Sequence, residues 1–154
     1  MASRKRHAAM LKNLDPLLTG PLLSVLDAME PGQWLTLTAG PIATPTPNEG
    51  HTVVDLADTS TEAATQALLS VLPLDTTGVP IVYLDDAAHA EELPDVVFAV
   101  CGIAADAELR RVPMSRLDER DFGMLAAHAA VTIRSNRDGD PAAFLLRKGD
   151  SVAA

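Results

Sequence analysis

Apolar residues recur along the first third of the chain with the spacing of a helix and then that of a strand. One helix face, with the i, i+3, i+4, i+7 spacing, consists of Leu22, Val25, Leu26 and Met29. Thr19 is a candidate N-cap for this helix. Residues 34–38 alternate large apolar residues with threonine, which predicts a partly buried strand. Residues 41–50 contain three prolines and a glycine, so they are predicted to form a loop.

The middle of the chain continues the alternation of strand and helix patterns. Residues 51–56 predict a short strand, and Ser60 or Thr61 can cap a helix that runs to Leu72. The predicted buried stripe of this helix consists of Ala64, Ala67, Leu68, Val71 and Leu72. A polar turn then leads into a strand at residues 80–84.

The last third of the chain predicts three more strands and one more helix. Residues 96–101 form an unbroken apolar run, which is typical of a strand buried on both faces. Ser115 with Asp118 forms a capping-box pattern before a helix. The apolar residues of that helix are Phe122, Leu125, Ala126 and Ala129. Residues 131–134 and 143–147 predict two closing strands around a polar turn.

These alternating periods predict a single α/β domain, with a central sheet that is parallel in part and helices on its faces. A chain of 154 residues is the usual size of one domain and can bury a core. Hydrophobic residues make up 47% of the chain but aromatic residues only 3%, so Ala, Val and Leu must build that core.

Charge and hydropathy exclude some classes of partner. The net charge of −9 argues against nucleic acid, because phosphate binding needs a clustered basic surface. No apolar run approaches the roughly 20 residues that a membrane-spanning helix needs, so no membrane partner is expected. The basic residues near the start lack a following apolar segment, so residues 1–9 are expected to be a disordered tail ahead of a domain at residues 10–154. Alternatively, Met10 is an internal start.

The chain has one cysteine, Cys101, which excludes an intramolecular disulfide and fits a reducing cytoplasm. Because it lies in the apolar run at residues 96–101, it is expected to be an inert core thiol.

Candidate chemistry is sparse in this sequence. It contains no Gly-x-Gly-x-x-Gly, no P-loop and no Cys-x-x-Cys motif. The four histidines lack the spacing of a metal site, so no metal and no cofactor are expected. His51 is the most interesting histidine, because it follows the proline-rich loop at the start of a strand. Asp55 and Asp58 form no recognisable carboxylate pair in the sequence, and solvated surface is their default interpretation.

Several scaffold segments together resemble one known family. The segments are residues 10–18, 21–29, 66–69, 74–75, 79–82, 133–135 and 144–149. In their order and spacing they resemble the RbsD/FucU family of sugar mutarotases, which includes D-ribose pyranase and L-fucose mutarotase. The resemblance covers nearly all of residues 10–150 and implies an RbsD/FucU-like central sheet with helices on its faces.

The resemblance also identifies the positions at which the family carries its chemistry. In the family, a corner that reads approximately Met-Gly-His-Gly-Asp supplies a catalytic histidine, and here it reads Met-Glu-Pro-Gly-Gln. The arginine of the family's second strand falls on Asp55, and the Tyr-x-Asn of the final hairpin becomes Pro-Ala-Ala. By family position, the substrate-binding residues are Pro31, Gln33, Ala39, Arg134, Pro141 and Ala143. The chain thus resembles a divergent member that lacks the catalytic motif.

Two hypotheses about function follow from these replacements. The first is a protein that is inactive on ribose and fucose and is retained for ligand binding or assembly. The second is an active monosaccharide mutarotase whose acid/base work has moved to other residues. The candidates for that work are His51, Asp55, Asp58 and Glu119. The simultaneous loss of the base, its partner and the hydroxyl binders favours the first hypothesis, because unpaired sugar hydroxyls cost roughly 1–3 kcal/mol each.

The resemblance implies partners as well. Mutarotases of this family form ring-like homo-oligomers, with two stacked pentamers in the best-known cases and the site close to subunit contacts. We therefore expect the chain to assemble with itself into an oligomer larger than a dimer, a decamer. A small sugar-like molecule is the other expected partner, and the loop at residues 41–50 is expected near its site.

Overall fold

The computed structural model describes residues 14–41, 52–85 and 95–150. In chain order, the helices within these ranges are α1 (Gly20–Ala28), α2 (Thr61–Leu69), α3 (Asp95–Glu108) and α4 (Glu119–Ala126). The strands are β1 (Trp34–Ala39), β2 (Thr52–Leu56), β3 (Ile81–Leu84), β4 (Met114–Leu117), β5 (Val131–Ser135) and β6 (Ala142–Arg147).

The six strands form one mixed sheet in the order β2-β5-β1-β6-β3-β4. β6 runs antiparallel to both of its neighbours, β1 and β3, and all the other pairings are parallel. Five strands therefore point in one direction and only β6 points in the other. This confirms the prediction of an α/β domain whose central sheet is parallel in part.

Helices cover both faces of the sheet. One face packs against α1, α2 and α3, and the larger apolar core lies between them, with Leu35, Ile133 and Phe144 among the buried sheet residues. The other face packs against α4, where Phe122 contacts a smaller cluster that includes Leu145. We refer to this second side of the sheet as the α4 face.

The predicted caps of the first two helices are confirmed. The Thr19 hydroxyl accepts a hydrogen bond from the Leu22 N–H at 3.4 Å, and the Ser60 hydroxyl accepts one from the Ala63 N–H at 3.1 Å. α2 ends at Leu69, earlier than predicted. Val71 consequently lies outside the buried stripe and is 41% exposed, so its predicted burial is wrong.

The predicted strand at residues 96–101 is wrong, because these residues belong to the helix α3. A short apolar run does not distinguish a buried strand from a buried helix. The alanines that continue the run to residue 107 favour a helix, since alanine has the highest helix propensity. Cys101 lies on this helix and is partly buried.

The cap of α4 also differs from the prediction. Asp118 is the N-cap, and its carboxylate accepts a hydrogen bond from the Asp121 N–H at 2.8 Å. Ser115 lies in β4, a strand that the sequence analysis did not predict. A capping box was the wrong interpretation because Asp118 is the cap and not the third residue of the helix.

The two closing strands form where predicted, but they do not pair with each other. β1 lies between β5 and β6, parallel to the first and antiparallel to the second. A polar turn between two strands that are consecutive in the sequence indicates that the chain reverses direction. Here the reversal crosses the end of β1, so the two strands are not adjacent in the sheet.

Some predictions lie outside the described residues. These are the tail at residues 1–9, most of the loop at residues 41–50, and His51. In the parts of the chain that the structure describes, no helix combines the length and the apolar character needed to cross a membrane.

Candidate functional site

The candidate positions lie at two opposite edges of the sheet. β1 starts at Trp34 and ends at Ala39, which separates its ends by about 17 Å at the usual rise per residue. Pro31 and Gln33 precede the strand, at the edge that we call the amino edge. Ala39 lies at the other edge, the carboxyl edge, together with Pro141. Within one chain, Pro31 and Ala39 therefore do not line one pocket.

The corner at the amino edge is a tight turn. The Gln33 N–H donates to the Glu30 carbonyl at 3.0 Å, and Gly32 has a φ of 92°. Proline at the second position and a positive-φ glycine at the third are the residues that a type II turn requires. The Gln33 side-chain oxygen accepts a hydrogen bond from the Glu30 N–H at 2.7 Å. At this corner, the side chains thus shape the backbone.

Arg147, at the end of β6, fixes this corner from the side. Its Nε donates to the Gly32 carbonyl at 3.2 Å, and its guanidinium lies 5.7 Å from the centre of the Trp34 ring. It also forms an ion pair with the Asp75 carboxylate at 3.3 Å. The sequence analysis did not single out Arg147, because its partners lie far from it along the chain.

The carboxylate of Asp75 is stabilised in its charged form. The Thr77 N–H and hydroxyl both donate to Asp75 Oδ1, at 3.1 and 2.9 Å. The backbone hydrogen bond from Thr77 lowers the pKa of Asp75 most, the Thr77 hydroxyl and Arg147 lower it further, and burial opposes them. This arrangement holds the turn that precedes β3.

At the carboxyl edge, three of the sequence-predicted positions come together in one row. Asp55 is in register with Arg134, Arg134 with Thr38, and Thr38 with Ala143, across β2, β5, β1 and β6. Residues in register lie side by side and point to the same face, about 4.8 Å apart from strand to strand. Ala143 belongs to the core cluster of the α4 face. We call these four residues the polar row.

The polar row combines exposed charges with buried neutral residues. Asp55 and Arg134 are exposed, while Thr38 and Ala143 are 4% and 1% exposed. A carboxylate and a guanidinium thus stand on adjacent strands, next to two buried, uncharged side chains. Two positions earlier in β1, the buried Thr36 hydroxyl has no hydrogen-bond partner within the described ranges.

A cleft of about 350 Å³ opens beside the polar row. Its lining consists of Asp55, Leu56, Ala57, Asp58, Thr59 and Arg137. Asp55 Oδ1 accepts a hydrogen bond from the Ala57 N–H at 2.9 Å, and the Arg137 N–H donates to the Ala57 carbonyl at 2.9 Å. The cleft is within the size range of small-molecule sites, and it brings two carboxylates and a guanidinium together.

A chain of buried hydroxyl groups supports this edge from below. The Ser135 hydroxyl donates to the Thr38 carbonyl at 2.8 Å and lies 3.0 Å from the Thr61 hydroxyl. The Thr65 hydroxyl donates in turn to the Thr61 carbonyl at 2.7 Å. Ser135 is 2% exposed, which supports a structural role for it. Only the spacing of Thr61 and Thr65 along one helix face could have indicated this chain of hydroxyls.

The remaining candidates lie elsewhere. Glu119 begins α4 after β4, at the far end of the strand order from β2, so about 24 Å of sheet separates it from Asp55. Cys101 lies on α3 with its sulfur 3.5 Å from that of Met114, and burial raises the pKa of its thiol. Among the residues with described positions, no three His, Cys, Asp or Glu side chains group as metal ligands do.

Comparison with solved structures shows which fold this is. The protein Atu2016, proposed to bind sugar, superposes with a TM-score of 0.78 and 29% identity over 92% of this chain and 97% of its own. The fucose mutarotase of Streptococcus pneumoniae, solved with L-fucose, gives a TM-score of 0.74 and 16% identity over 92% and 100%. RbsD of Bacillus subtilis, solved with D-ribose, gives 0.68 and 15% over 92% and 99%.

No protein-family model matches the sequence, and no curated protein matches it significantly. The structural likenesses extend over nearly the whole domain in both directions. The chain therefore has the RbsD/FucU-like fold.

Proposed function

We propose that this RbsD/FucU-like protein binds a small, sugar-like ligand and does not catalyse the mutarotation of D-ribose or L-fucose. The observation that carries the proposal is the tight turn at Pro31, the residue on which the sequence resemblance places the family's catalytic histidine. Mutarotation removes a proton from the anomeric hydroxyl and delivers one to the ring oxygen, so it needs titratable groups. Proline has neither a titratable side chain nor an N–H.

Ligand binding is supported by the polar row at the carboxyl edge. A monosaccharide exposes hydroxyl groups, which donate to carboxylates and accept from guanidinium groups. Asp55 and Arg134 offer these two functions on adjacent strands, and both side chains are exposed. The two neighbours solved with L-fucose and D-ribose support a ligand of this chemical class.

The alternative is an active mutarotase with relocated acid/base groups. The specific observation in its favour is that Asp55 and Asp58 line the same cleft with Arg137. One carboxylate would then act as the base and a second group as the acid. His51 remains a candidate for that second group, because it immediately precedes β2 in the sequence.

Anomer exchange measured by NMR separates the two functions. Saturating one anomeric signal of D-ribose or L-fucose transfers saturation to the other anomer when exchange is fast. We expect the purified protein to leave the exchange at its spontaneous rate. Clear acceleration that is lost in Asp55→Asn would establish the alternative and overturn the inactive assignment.

Binding is tested by saturation transfer from the protein to a panel of monosaccharides. We expect transfer to at least one sugar, and a loss of about tenfold in affinity in Arg134→Ala, since one charged hydrogen bond contributes 1.5–3 kcal/mol. Arg120→Ala is the matched control, because Arg120 is an exposed arginine on α4, away from the polar row. Equal losses in both variants, or no transfer to any sugar, would contradict a site at the polar row.

Pro31→His provides a further prediction about the lost chemistry. We expect this variant to remain inactive on both sugars, because the carboxylate that would orient the histidine is replaced by Gln33 and the family's hydroxyl-binding groups would still be absent. The same exchange measurement checks it. Activity of Pro31→His would show that one residue alone separates this chain from an active mutarotase.

We also propose that the chain works in the cytoplasm as a homo-oligomer. The single cysteine supports a reducing compartment. The likeness to mutarotase structures over nearly the whole chain supports a shared mode of assembly, which we take to be a decamer.

A further inference from the structure

The outward face of α3 is apolar where a helix facing water would be polar. Phe98 is 62% exposed, and Leu109, directly after the last helical residue, is 90% exposed. Gly102 and Ala105 lie between them with the spacing of one helix face, so the four residues form a stripe. Leu109 also has a φ of 56°, a backbone region that bulky residues rarely occupy.

The opposite face of the same helix is already in use. Val97, Val100 and Ala104 are buried in the core that α3 shares with α2 and the sheet. α3 is therefore apolar on both sides, and a helix of that kind is normally buried all round. Its outward stripe lacks a cover within the described part of the chain.

We propose that α3 of a second copy of the chain covers this stripe. The two helices would run antiparallel about a two-fold axis near Gly102. Phe98 of each copy would then lie near Ala105 of the other, so that a large side chain meets a small one, and the two Gly102 residues would meet at the axis. No atom lies within 4 Å of where a Cβ on Gly102 would be, so the two backbones can approach closely at this point. A two-fold contact of this kind is self-complementary.

Charge selects the antiparallel arrangement. Asp95 begins the helix and Arg111 follows its end; both are exposed, and neither has an ion-pair partner within the described residues. An antiparallel pair brings the acidic end of one helix to the basic end of the other. A parallel pair would place Asp95 against Asp95 and Asp106 against Asp106. Complementary charges at both ends therefore favour a second copy as the occupant.

Replacing Phe98 by aspartate tests the contact through the mass of the particle. Light scattering coupled to size exclusion should give an even number of chains for the wild type and half that mass for Phe98→Asp. Met124→Asp is the matched control, because Met124 is also 62% exposed but lies on α4. It should keep the wild-type mass. An unchanged mass for Phe98→Asp, or a monomeric wild type at micromolar concentration, would overturn the proposal.

Charge reversal tests the direction of the helices. Asp95→Arg and Arg111→Asp should each lower the average mass below that of the wild type at physiological ionic strength, because each places like charges together. The double variant should restore it, since the complementary pair is rebuilt with opposite signs. Failure of the double variant to recover, with both single variants impaired, would exclude the antiparallel pairing.

A disulfide tests the position of the two-fold axis. In a Cys101→Ala background, Gly102→Cys should form a linked dimer on mild oxidation, because two copies of residue 102 would face each other within disulfide range. Ala107→Cys in the same background is the control, since Ala107 is exposed on a different side of the helix. Equal linking of the two variants, or no linking at residue 102, would refute an axis at Gly102.

Discussion

At the scale of single residues, the turn at Pro31 and Gly32 shows how residues distant in the sequence fix one corner of the backbone. Gly32 donates its N–H to the Lys148 carbonyl at 2.7 Å and accepts from Arg147 with its own carbonyl. Its φ of 92° is accessible to glycine without steric cost. The turn is thus tied to the end of β6, and a side chain at residue 32 would strain it.

Gly32→Ala should therefore destabilise the protein. We expect the free energy of unfolding to fall by roughly 1–2 kcal/mol, because a Cβ disfavours positive φ. Urea unfolding measures this change. Gly123→Ala is the control: Gly123 lies within α4 with open space around it, so this variant should gain up to about 1 kcal/mol. Equal effects of the two substitutions would contradict a role for the Gly32 conformation.

Asp75 gives stability a dependence on pH. Its pKa is lowered in the folded state, chiefly by hydrogen bonds from Thr77, so the charged carboxylate stabilises the fold above the ordinary pKa of an aspartate. That contribution is lost as the pH falls through the lowered folded-state pKa. At neutral pH, we expect Asp75→Asn to cost about 1 kcal/mol, because its amide group lacks the charge that Arg147 and Thr77 stabilise.

The test for Asp75 is urea unfolding at several pH values. The difference between the wild type and Asp75→Asn should be constant from pH 7 to pH 5 and should shrink below about pH 4. Asp138→Asn serves as the control, since Asp138 is exposed. A difference that persists unchanged at low pH would exclude the charged carboxylate as its cause.

At the scale of elements, Lys148 links the end of α1 to the end of β6. Its ammonium group donates to the carbonyls of Leu26 and Met29 at 2.8 and 2.6 Å. α1 has no basic residue in its own last turn, so a side chain from the other end of the chain satisfies its free carbonyls. The first helix and the last strand are joined in this way.

Lys148→Met should weaken that link. We expect a loss of about 1–3 kcal/mol in the free energy of unfolding, because two charged hydrogen bonds disappear while the apolar stem is retained. Arg120→Met, on the exposed surface of α4, should change it by less than about 0.5 kcal/mol. Urea unfolding compares the two variants, and an equally small effect of Lys148→Met would show that water satisfies those carbonyls equally well.

Features that depend on neighbouring residues can be predicted from the sequence, whereas features that depend on distant residues are missed. Thr19 and Ser60 cap helices through neighbours three positions away, so their roles were readable in the sequence. The predicted strand at residues 96–101 lies within the helix at residues 95–108. This apolar run is buried on one side and exposed on the other, so no polar face indicates the helical period. The register that aligns Asp55 with Arg134 depends on strand order, which hydrophobic pattern alone does not determine.

At the scale of the whole molecule, the two candidate edges belong to different ends of the sheet. Pro31 and the polar row lie at opposite ends of their strands, so only a neighbouring subunit could bring the two edges together. An assembly would then change the surroundings of a ligand as well as the size of the particle. The proposed oligomer would therefore affect ligand binding directly.

The mass of the particle and its dependence on salt test the assembly. Ten chains of 16.2 kDa give about 162 kDa, which we expect from light scattering at physiological ionic strength. Each chain has a net charge of −9, so the chains repel one another. When the salt is lowered to about 10 mM, charges are screened only at separations beyond about 30 Å, so the mass should fall. A stable 16.2 kDa monomer at micromolar concentration would contradict the proposed assembly.

The position of β1 between β5 and β6 has a consequence for how the chain folds. β1 ends at Ala39, but its two neighbours begin only at Val131 and Ala142, so neither exists when β1 is made. During translation the central strand is made early, and the hydrogen-bonding groups on both of its edges stay unpaired until about ninety further residues have been added. Closing loops of that length slows folding, and unpaired edges attract other chains. Synthesis of β5 and β6, more than any local signal, would therefore time the formation of the core.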